Sequence, residues 1–91
     1  MYNVFAVTNK LEILKKRLIY RASYRGTKEM DILLSSFVNK YINGLSEINL
    51  MELETFLNFE DEVILNYYNY NIIENKINEN KISKIFKDHK I

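Results

Sequence analysis

The backbone of this 91-residue chain is almost free of helix-breaking residues, since it contains no proline and only two glycines, Gly26 and Gly44. Such residues punctuate regular structure, and their scarcity favours long uninterrupted elements. Apolar residues recur at spacings of three and four, the period of an amphipathic helix, and alternation with a period of two is not sustained. The sequence therefore predicts an all-α fold, a compact five-helix bundle that forms a single domain over residues 1–91.

The first two predicted helices flank Gly26. Apolar residues at helical spacing indicate a first helix from about residue 9 to residue 23, with Thr8 or Asn9 as its N-cap. Gly26 is expected to close this helix, because glycine adopts the left-handed conformation without a steric penalty. Thr27 is the predicted N-cap of a second helix, which we expect to end near the second glycine.

Three shorter helices are predicted in the second half of the chain. Ser46 and Asp61 are the expected N-caps of the third and fourth helices. The stretch from residue 70 to residue 80 is rich in asparagine and isoleucine and has no clear period. A last helix is expected over about residues 79–90, and the seven tyrosines and five phenylalanines are expected to pack in the core and at its rim.

The net charge of +1 conceals three segments of alternating sign. Residues 1–41 carry eight basic and three acidic side chains, residues 42–74 carry seven acids and no base, and residues 75–91 carry five lysines and two acids. A protein that coats nucleic acid would rarely leave so many acids unopposed. Two faces of opposite sign suit a protein partner, and the alternative is that the acidic and basic segments pack together and partly cancel.

Several classes of site are excluded by the residue inventory. The chain has no cysteine and one histidine, His89, at an end that we expect to be frayed, so a metal site is not expected. There is no glycine-rich phosphate loop and no nucleophile–base pair, so the chain is not expected to be an enzyme. No apolar run approaches the length that spans a bilayer, and the first residues resemble neither a signal peptide nor a transit peptide. We therefore expect a soluble protein of the bacterial cytoplasm, without direct membrane insertion.

The three arginines stand out in a chain with ten lysines. Arg17, Arg21 and Arg25 are four residues apart, which places them along one side of a helix. The guanidinium group binds carboxylate or phosphate through two parallel hydrogen bonds, which lysine cannot do. This ladder of arginines therefore indicates a binding surface, and the alternative is that Arg21 or Arg25 pairs with Glu29 or Asp31 inside the protein.

Several short motifs follow one another between residues 17 and 68. They are Arg17-Leu18-Ile19-Tyr20, Arg25-Gly26-Thr27-Lys28-Glu29, Asp31-Ile32-Leu33-Leu34, Leu45-Ser46, and the stretch from Phe59 to Tyr68. With these motifs the segment resembles the succinate dehydrogenase assembly factors known as flavinators, whose signature is Arg-Gly-x-x-Glu. It departs from the family pattern at Tyr24, where a second base is common, and at Tyr67, where tryptophan is usual.

The resemblance implies a five-helix bundle that acts as an assembly factor and not as an enzyme. Members of the family bind the flavoprotein subunit of succinate dehydrogenase, and often that of fumarate reductase, and promote covalent attachment of FAD to a histidine of that subunit. The factor itself is expected to hold no cofactor stably and to be a monomer when free. The residues expected to bind the partner are Arg17, Arg21, Arg25, Gly26, Lys28, Glu29 and Asp31.

Two other interpretations of the chain stay open at this point. Gly26 could be the turn of a helix-turn-helix that binds nucleic acid, with residues 28–42 as the recognition helix. That helix carries two lysines against two acids, which is a poor match to DNA. The chain could also be a small helical protein-interaction module without any link to flavin.

Overall fold

The structure, a computed structural model, describes residues 4–73 and 79–91. Within these ranges the chain forms five α-helices and one 3₁₀ turn and no β-strand, which confirms the all-α prediction. In chain order the helices are α1 (Val4–Ser23), α2 (Lys28–Tyr41), α3 (Glu47–Leu57), α4 (Asp61–Tyr70) and α5 (Lys81–Asp88), and the 3₁₀ turn is Ile42–Gly44.

The predicted end of α1 at Ser23 and the predicted N-cap of α2 are confirmed, but Gly26 lies three residues beyond Ser23 in the turn and does not itself close α1. Gly26 has a φ of +134°, a positive value that residues with a side chain rarely adopt. Thr27 is extended, and its hydroxyl accepts a hydrogen bond from the backbone amide of Met30 at 3.2 Å, as predicted for an N-cap. The predicted start of α1 is wrong, because the helix already begins at Val4. Because residues 4–25 contain no glycine or proline, the helix runs through Thr8 and Asn9, and the modest N-cap preference of these two residues does not set its start.

The later helices differ from their predictions mainly in their caps. Ser46 caps α3 by accepting from the amide of Asn49, as expected. Asp61 is the first helical residue of α4 rather than its cap, which is Glu60. Helix α5 is shorter than predicted and begins at a capping box between Asn80 and a serine three residues on. Residues 74–78, within the stretch of unclear period, lie outside the described residues.

The core is built by all five helices. Its fully buried side chains include Leu18 and Ala22 of α1, Leu34 and Phe37 of α2, Leu50, Leu53 and Leu57 of α3, Ile64 and Tyr67 of α4, and Ile82 and Phe86 of α5. Tyr67, at the position where the flavinators usually carry tryptophan, has no exposed surface. The buried residues of α5 make the C-terminal segment part of the core, a role that the sequence alone did not indicate.

The expectation that His89 lies at a frayed end is wrong. Only 4% of its surface is exposed, and its ring packs edge-on against Phe37 with 5.5 Å between the ring centroids. The Nε2 atom lies 2.9 Å from the hydroxyl of Ser36, and the backbone carbonyl of His89 accepts a hydrogen bond from the hydroxyl of Tyr68 at 2.6 Å. These contacts hold the end of α5 against α2 and α4.

Candidate partner-binding surface

Arg25 is bonded inward through every nitrogen of its guanidinium group. Its Nε donates to Oδ1 of Asp61, its Nη1 to the carbonyl of Leu57 and its Nη2 to the carbonyl of Phe59, each at 2.8 Å. Only 10% of the Arg25 side chain is exposed, against 26% for Asp61. The arginine of the Arg-Gly-x-x-Glu motif therefore fastens the α1–α2 turn to the corner between α3 and α4.

The α3–α4 corner needs such a donor. Leu57 is the last residue of α3, and the carbonyls of a last turn have no partner within their own helix. Asp61 lies in the first turn of α4, where the helix dipole favours a carboxylate. One guanidinium thus satisfies acceptors at the end of one helix and the start of the next, which lysine, with a single nitrogen, could not do in this planar arrangement.

Asp31, two residues after the Arg-Gly-x-x-Glu motif, bonds to the backbone of the turn. Oδ1 of Asp31 accepts a hydrogen bond from the backbone amide of Arg25 at 2.5 Å. The alternative that the Arg25 guanidinium pairs with Glu29 or Asp31 is therefore wrong: the guanidinium pairs with Asp61, and Asp31 fixes the backbone of the turn.

Gly26 is exposed at the tip of this turn. A Cβ atom built on it would lie 3.8 Å from Oδ2 of Asp61, which is an ordinary contact distance. Space for a small side chain therefore exists, and the requirement for glycine comes from its positive φ.

The other two arginines continue the ladder along α3. Nη2 of Arg17 lies 3.2 Å from Oε2 of Glu54, and Nη2 of Arg21 donates to Oδ1 of Asn58. Arginines that come later in the sequence bond to residues that also come later, on α3 or just after it. Helices α1 and α3 therefore lie side by side and run in the same direction. Arg17 and Arg21 share one side of α1, as predicted, whereas Arg25 lies in the turn beyond the last helical residue, Ser23. The three side chains nevertheless bond to α3 or to the α3–α4 corner. Arg21 therefore does not pair with the acids of α2.

The seven predicted residues thus fall into two groups. Gly26, Lys28 and Glu29 are exposed at the turn and the start of α2, and 57% of the Arg17 side chain is exposed on α1. Arg21, Arg25 and Asp31 are partly buried and bonded within the protein. The assignment of all seven as partner-binding residues stays a prediction. Within the second group, the three inward bonds of Arg25 direct its guanidinium into the protein, where it holds the turn that carries the first group.

Two exposed tyrosines beside the motif were missed in the sequence. Tyr20 is 65% exposed and Tyr24 is 70% exposed, although the tyrosines as a class were expected to pack in or around the core. Their ring centroids lie 4.7 Å apart, with 42° between the ring planes. Their spacing of four residues, on the side of α1 opposite to the apolar residues Leu18 and Ala22, was the available signal.

No group of side chains in the described part of the chain has the composition of a metal site. An open groove of about 490 Å³ lies elsewhere on the surface, lined by Ile48, Met51, Glu52, Thr55 and Asn80, and none of the motif residues lines it. Among residues 4–73 and 79–91, every helix is too short or too polar to cross a bilayer.

Comparison with known proteins identifies relatives along most of the chain. The family model described as flavinator of succinate dehydrogenase matches residues 16–90, which extends beyond the motifs of residues 17–68 and includes α5. No solved structure matches the chain.

The curated relatives carry a consistent name. A protein of Scheffersomyces stipitis named succinate dehydrogenase assembly factor 2, mitochondrial, is 37% identical over 84 residues, covering 86% of this chain and 55% of the relative. The protein of the same name from Debaryomyces hansenii is 32% identical over 84 residues, covering 86% of this chain and 58% of the relative. That of Danio rerio is 42% identical over 48 residues, covering 53% of this chain and 30% of the relative. The chain thus spans little more than half the length of the first two.

Proposed function

This chain belongs to the flavinator family of succinate dehydrogenase, and from that we propose that it is an assembly factor for the enzyme's flavoprotein subunit. In this proposal it binds that subunit and promotes covalent attachment of FAD to one of its histidines. The observation that carries the proposal is the geometry of the motif. Arg25 is bonded inward on all sides, while Gly26, Lys28 and Glu29 are left exposed on a turn that Arg25 holds in place.

The proposed mechanism is one of positioning. Attachment requires the partner's histidine to be held against the flavin ring, and holding reacting groups in place removes several kcal/mol from a barrier in favourable cases. Glu29 would accept hydrogen bonds from the partner, and the bare backbone at Gly26 would allow a close approach. Arg25 and Asp31 would act as positioning residues, since they fix the turn on which Glu29 is presented.

The same proposal assigns FAD to the partner and the bond formation to the flavoprotein. The chain supplies an exposed carboxylate and a turn that Arg25 holds in place.

We propose that flavoproteins of the fumarate reductase type bind to the same surface. The bacterial cytoplasm stays our prediction for its location, whereas the curated relatives are named as mitochondrial proteins.

The experiment combines purified apo-flavoprotein subunit, FAD and the chain, and follows covalent flavin by its fluorescence in a denaturing gel. We expect the wild-type chain to accelerate attachment and Glu29→Ala to lower that rate by at least about tenfold, because an interaction that positions the partner is removed. Glu47→Ala is the matched control, since Glu47 is also an exposed acid in a first helical turn but lies on α3.

Two results would count against the proposal in different ways. If a folded Glu29→Ala variant promotes attachment at the wild-type rate, the motif turn is not the working surface. If the wild-type chain fails to accelerate attachment over FAD and flavoprotein alone, the chain is not a flavinator of that subunit.

A further inference from the structure

One side of α1 and of the turn that follows it carries four exposed side chains outside the Arg-Gly-x-x-Glu motif. We call Ile13, Arg17, Tyr20 and Tyr24 the tyrosine stripe. They are spaced by four, three and four residues, which puts them on one side of the helix and its immediate continuation. Ile13, Tyr20 and Tyr24 are 61%, 65% and 70% exposed, and the Arg17 side chain is 57% exposed.

We propose that the tyrosine stripe is the main docking contact of this chain, and that it binds an apolar patch bordered by carboxylates on the flavoprotein subunit. This inference rests on the proposed function, which supplies the identity of the partner. It assigns most of the affinity to the stripe and leaves to the Gly26–Glu29 turn the positioning of the partner's reacting groups.

The composition of the stripe is that of an interface centre. Tyrosine and arginine are enriched among the few residues that carry most of the binding energy in protein interfaces. Large exposed rings are in contact with each other here, with 4.7 Å between the centroids of Tyr20 and Tyr24. Because each ring already restricts the other, less side-chain entropy is lost when a partner covers them.

The charge around the stripe indicates the chemistry of the partner's patch. Lys10, Lys16 and Arg17 are exposed on α1 on or beside the stripe, against one exposed acid, Glu12. Arg17 is paired with Glu54 in a solvent-exposed contact at 3.2 Å, and pairs of this kind contribute little to stability. Arg17 can therefore exchange Glu54 for a carboxylate of the partner. The basic border of the stripe favours an acidic border on the surface that covers it.

The stripe is continuous with the motif turn. Tyr24 immediately precedes Arg25, whose three guanidinium bonds fix the end of α1 against the α3–α4 corner. A partner that covers Tyr24 is thereby brought next to Gly26 and the exposed Glu29. The docking contact and the positioning turn are thus held by one structural element.

A second exposed apolar pair provides the matched control. Ile48 and Met51 of α3 are 69% and 59% exposed, comparable with the tyrosines, and they line the open groove. This pair has no aromatic ring or arginine, and the charged side chain that lines the groove with it is the acidic Glu52. We therefore expect it to lie outside the docking contact.

The test measures the affinity of the purified flavoprotein subunit for three forms of the chain: wild type, Tyr20→Ala/Tyr24→Ala and Ile48→Ala/Met51→Ala. We expect the tyrosine variant to bind at least about 30-fold more weakly, and the control variant to bind within about threefold of the wild type. Both variants truncate exposed side chains and leave the core intact, so both are expected to fold, and circular dichroism checks this. Tyr24→Ala alone, with the same expected direction, serves if the double variant does not fold.

The outcomes separate this inference from the proposed function. If the wild type binds and the tyrosine variant binds equally well, the stripe is not the docking contact, while the proposed function stands. If the wild type does not bind the flavoprotein at all, both fall. If sedimentation shows that the free wild type is a dimer and the tyrosine variant a monomer, the stripe joins two copies of this chain and the inference is overturned. The charge component is tested by the association rate, which we expect to fall as salt is raised for the wild type and to fall less for Lys16→Gln.

Discussion

Arg25 shows how a motif residue can work without touching a partner. Its fork meets a carboxylate and two helix-end carbonyls at 2.8 Å, and it is nearly enclosed. Hydrogen bonds from a charged donor to groups that water reaches poorly are among the stronger ones in proteins. Arg17, by contrast, makes a single exposed pair. Two arginines of one ladder therefore differ in what they contribute, and only the structure distinguishes them.

We predict that Arg25→Lys destabilises the fold by about 2 kcal/mol, because lysine keeps the charge but cannot reach the three acceptors together. Arg17→Lys is the matched control and should change the free energy of unfolding by less than about 0.5 kcal/mol. Urea unfolding of the three proteins, followed by circular dichroism, measures both changes. Equal stability of the two variants would show that the fork of Arg25 does not hold the corner.

Helix α5 has only eight residues, but its buried side chains connect it to most of the other helices. Phe86 has no exposed surface and packs on three rings, with centroids 5.0 or 5.1 Å from those of Phe37, Phe56 and Tyr68. These rings belong to α2, α3 and α4, so one side chain joins α5 to three other helices. A helix this short is not stable by itself in water, and the packing of Phe86 supplies what its length cannot.

We predict that Phe86→Ala destabilises the protein by about 3–5 kcal/mol, the usual range for removing a fully buried ring. A domain of this size is stable by only about 5–15 kcal/mol, so the variant is expected to be close to unfolding at room temperature. Lys84→Ala on the exposed side of α5 is the control and should be near neutral. Thermal and urea unfolding measure the loss. A Phe86→Ala variant as stable as Lys84→Ala would mean that α5 is not part of the cooperative core.

At the scale of the whole molecule, segments of opposite charge that lie far apart in the sequence are in contact. The basic first segment and the acidic middle segment are joined by the ion pairs Arg17–Glu54 and Arg25–Asp61, so the alternative in which the segments pack together is realised in part. The C-terminal end is joined to the rest by His89. Its ring lies against α2 and its carbonyl accepts from α4.

We predict that His89 makes the stability of the whole molecule depend on pH. Burial lowers the pKa of His89 below its ordinary value of 6.5, and the positive charge of Lys40 lowers it further. The other polar groups against the imidazole are the hydroxyl of Ser36 and the ring of Tyr41, and neither supplies a carboxylate to stabilise a charged ring. The unfolded chain therefore binds a proton more readily than the folded one in the range below pH 6.5.

The stabilising contribution of neutral His89 is thus fully present above pH 6.5 and is lost as the pH falls through 6.5 toward the lower pKa of the folded state. Urea unfolding at pH 7.5, 6.5 and 5.5 measures this loss, over a range that brackets the ordinary pKa of a histidine. His89→Gln keeps a polar side chain without the titration, and its stability should change much less with pH. The same pH dependence in both proteins would exclude His89 as its origin.

Several features of this protein are determined by residues that are close together in the sequence. Helix type, the positive φ at Gly26, and the caps at Thr27 and Ser46 were all predictable, because each depends on residues within one turn of the chain. The alignment of Arg17 and Arg21 on α1 followed from helical period alone. The family could be identified from motifs in their order along the chain, which requires no contacts between helices.

Only the tertiary structure decided which partners these groups have. Asp61 lies 36 residues from Arg25, and His89 lies 53 residues from Ser36, so neither pairing leaves a local pattern. The same holds for the exposure of Tyr20 and Tyr24, which depends on which helices cover α1 and not on the tyrosines themselves. Local sequence sets backbone geometry through short-range sterics and hydrogen bonds, whereas burial and charge pairing depend on how the helices pack.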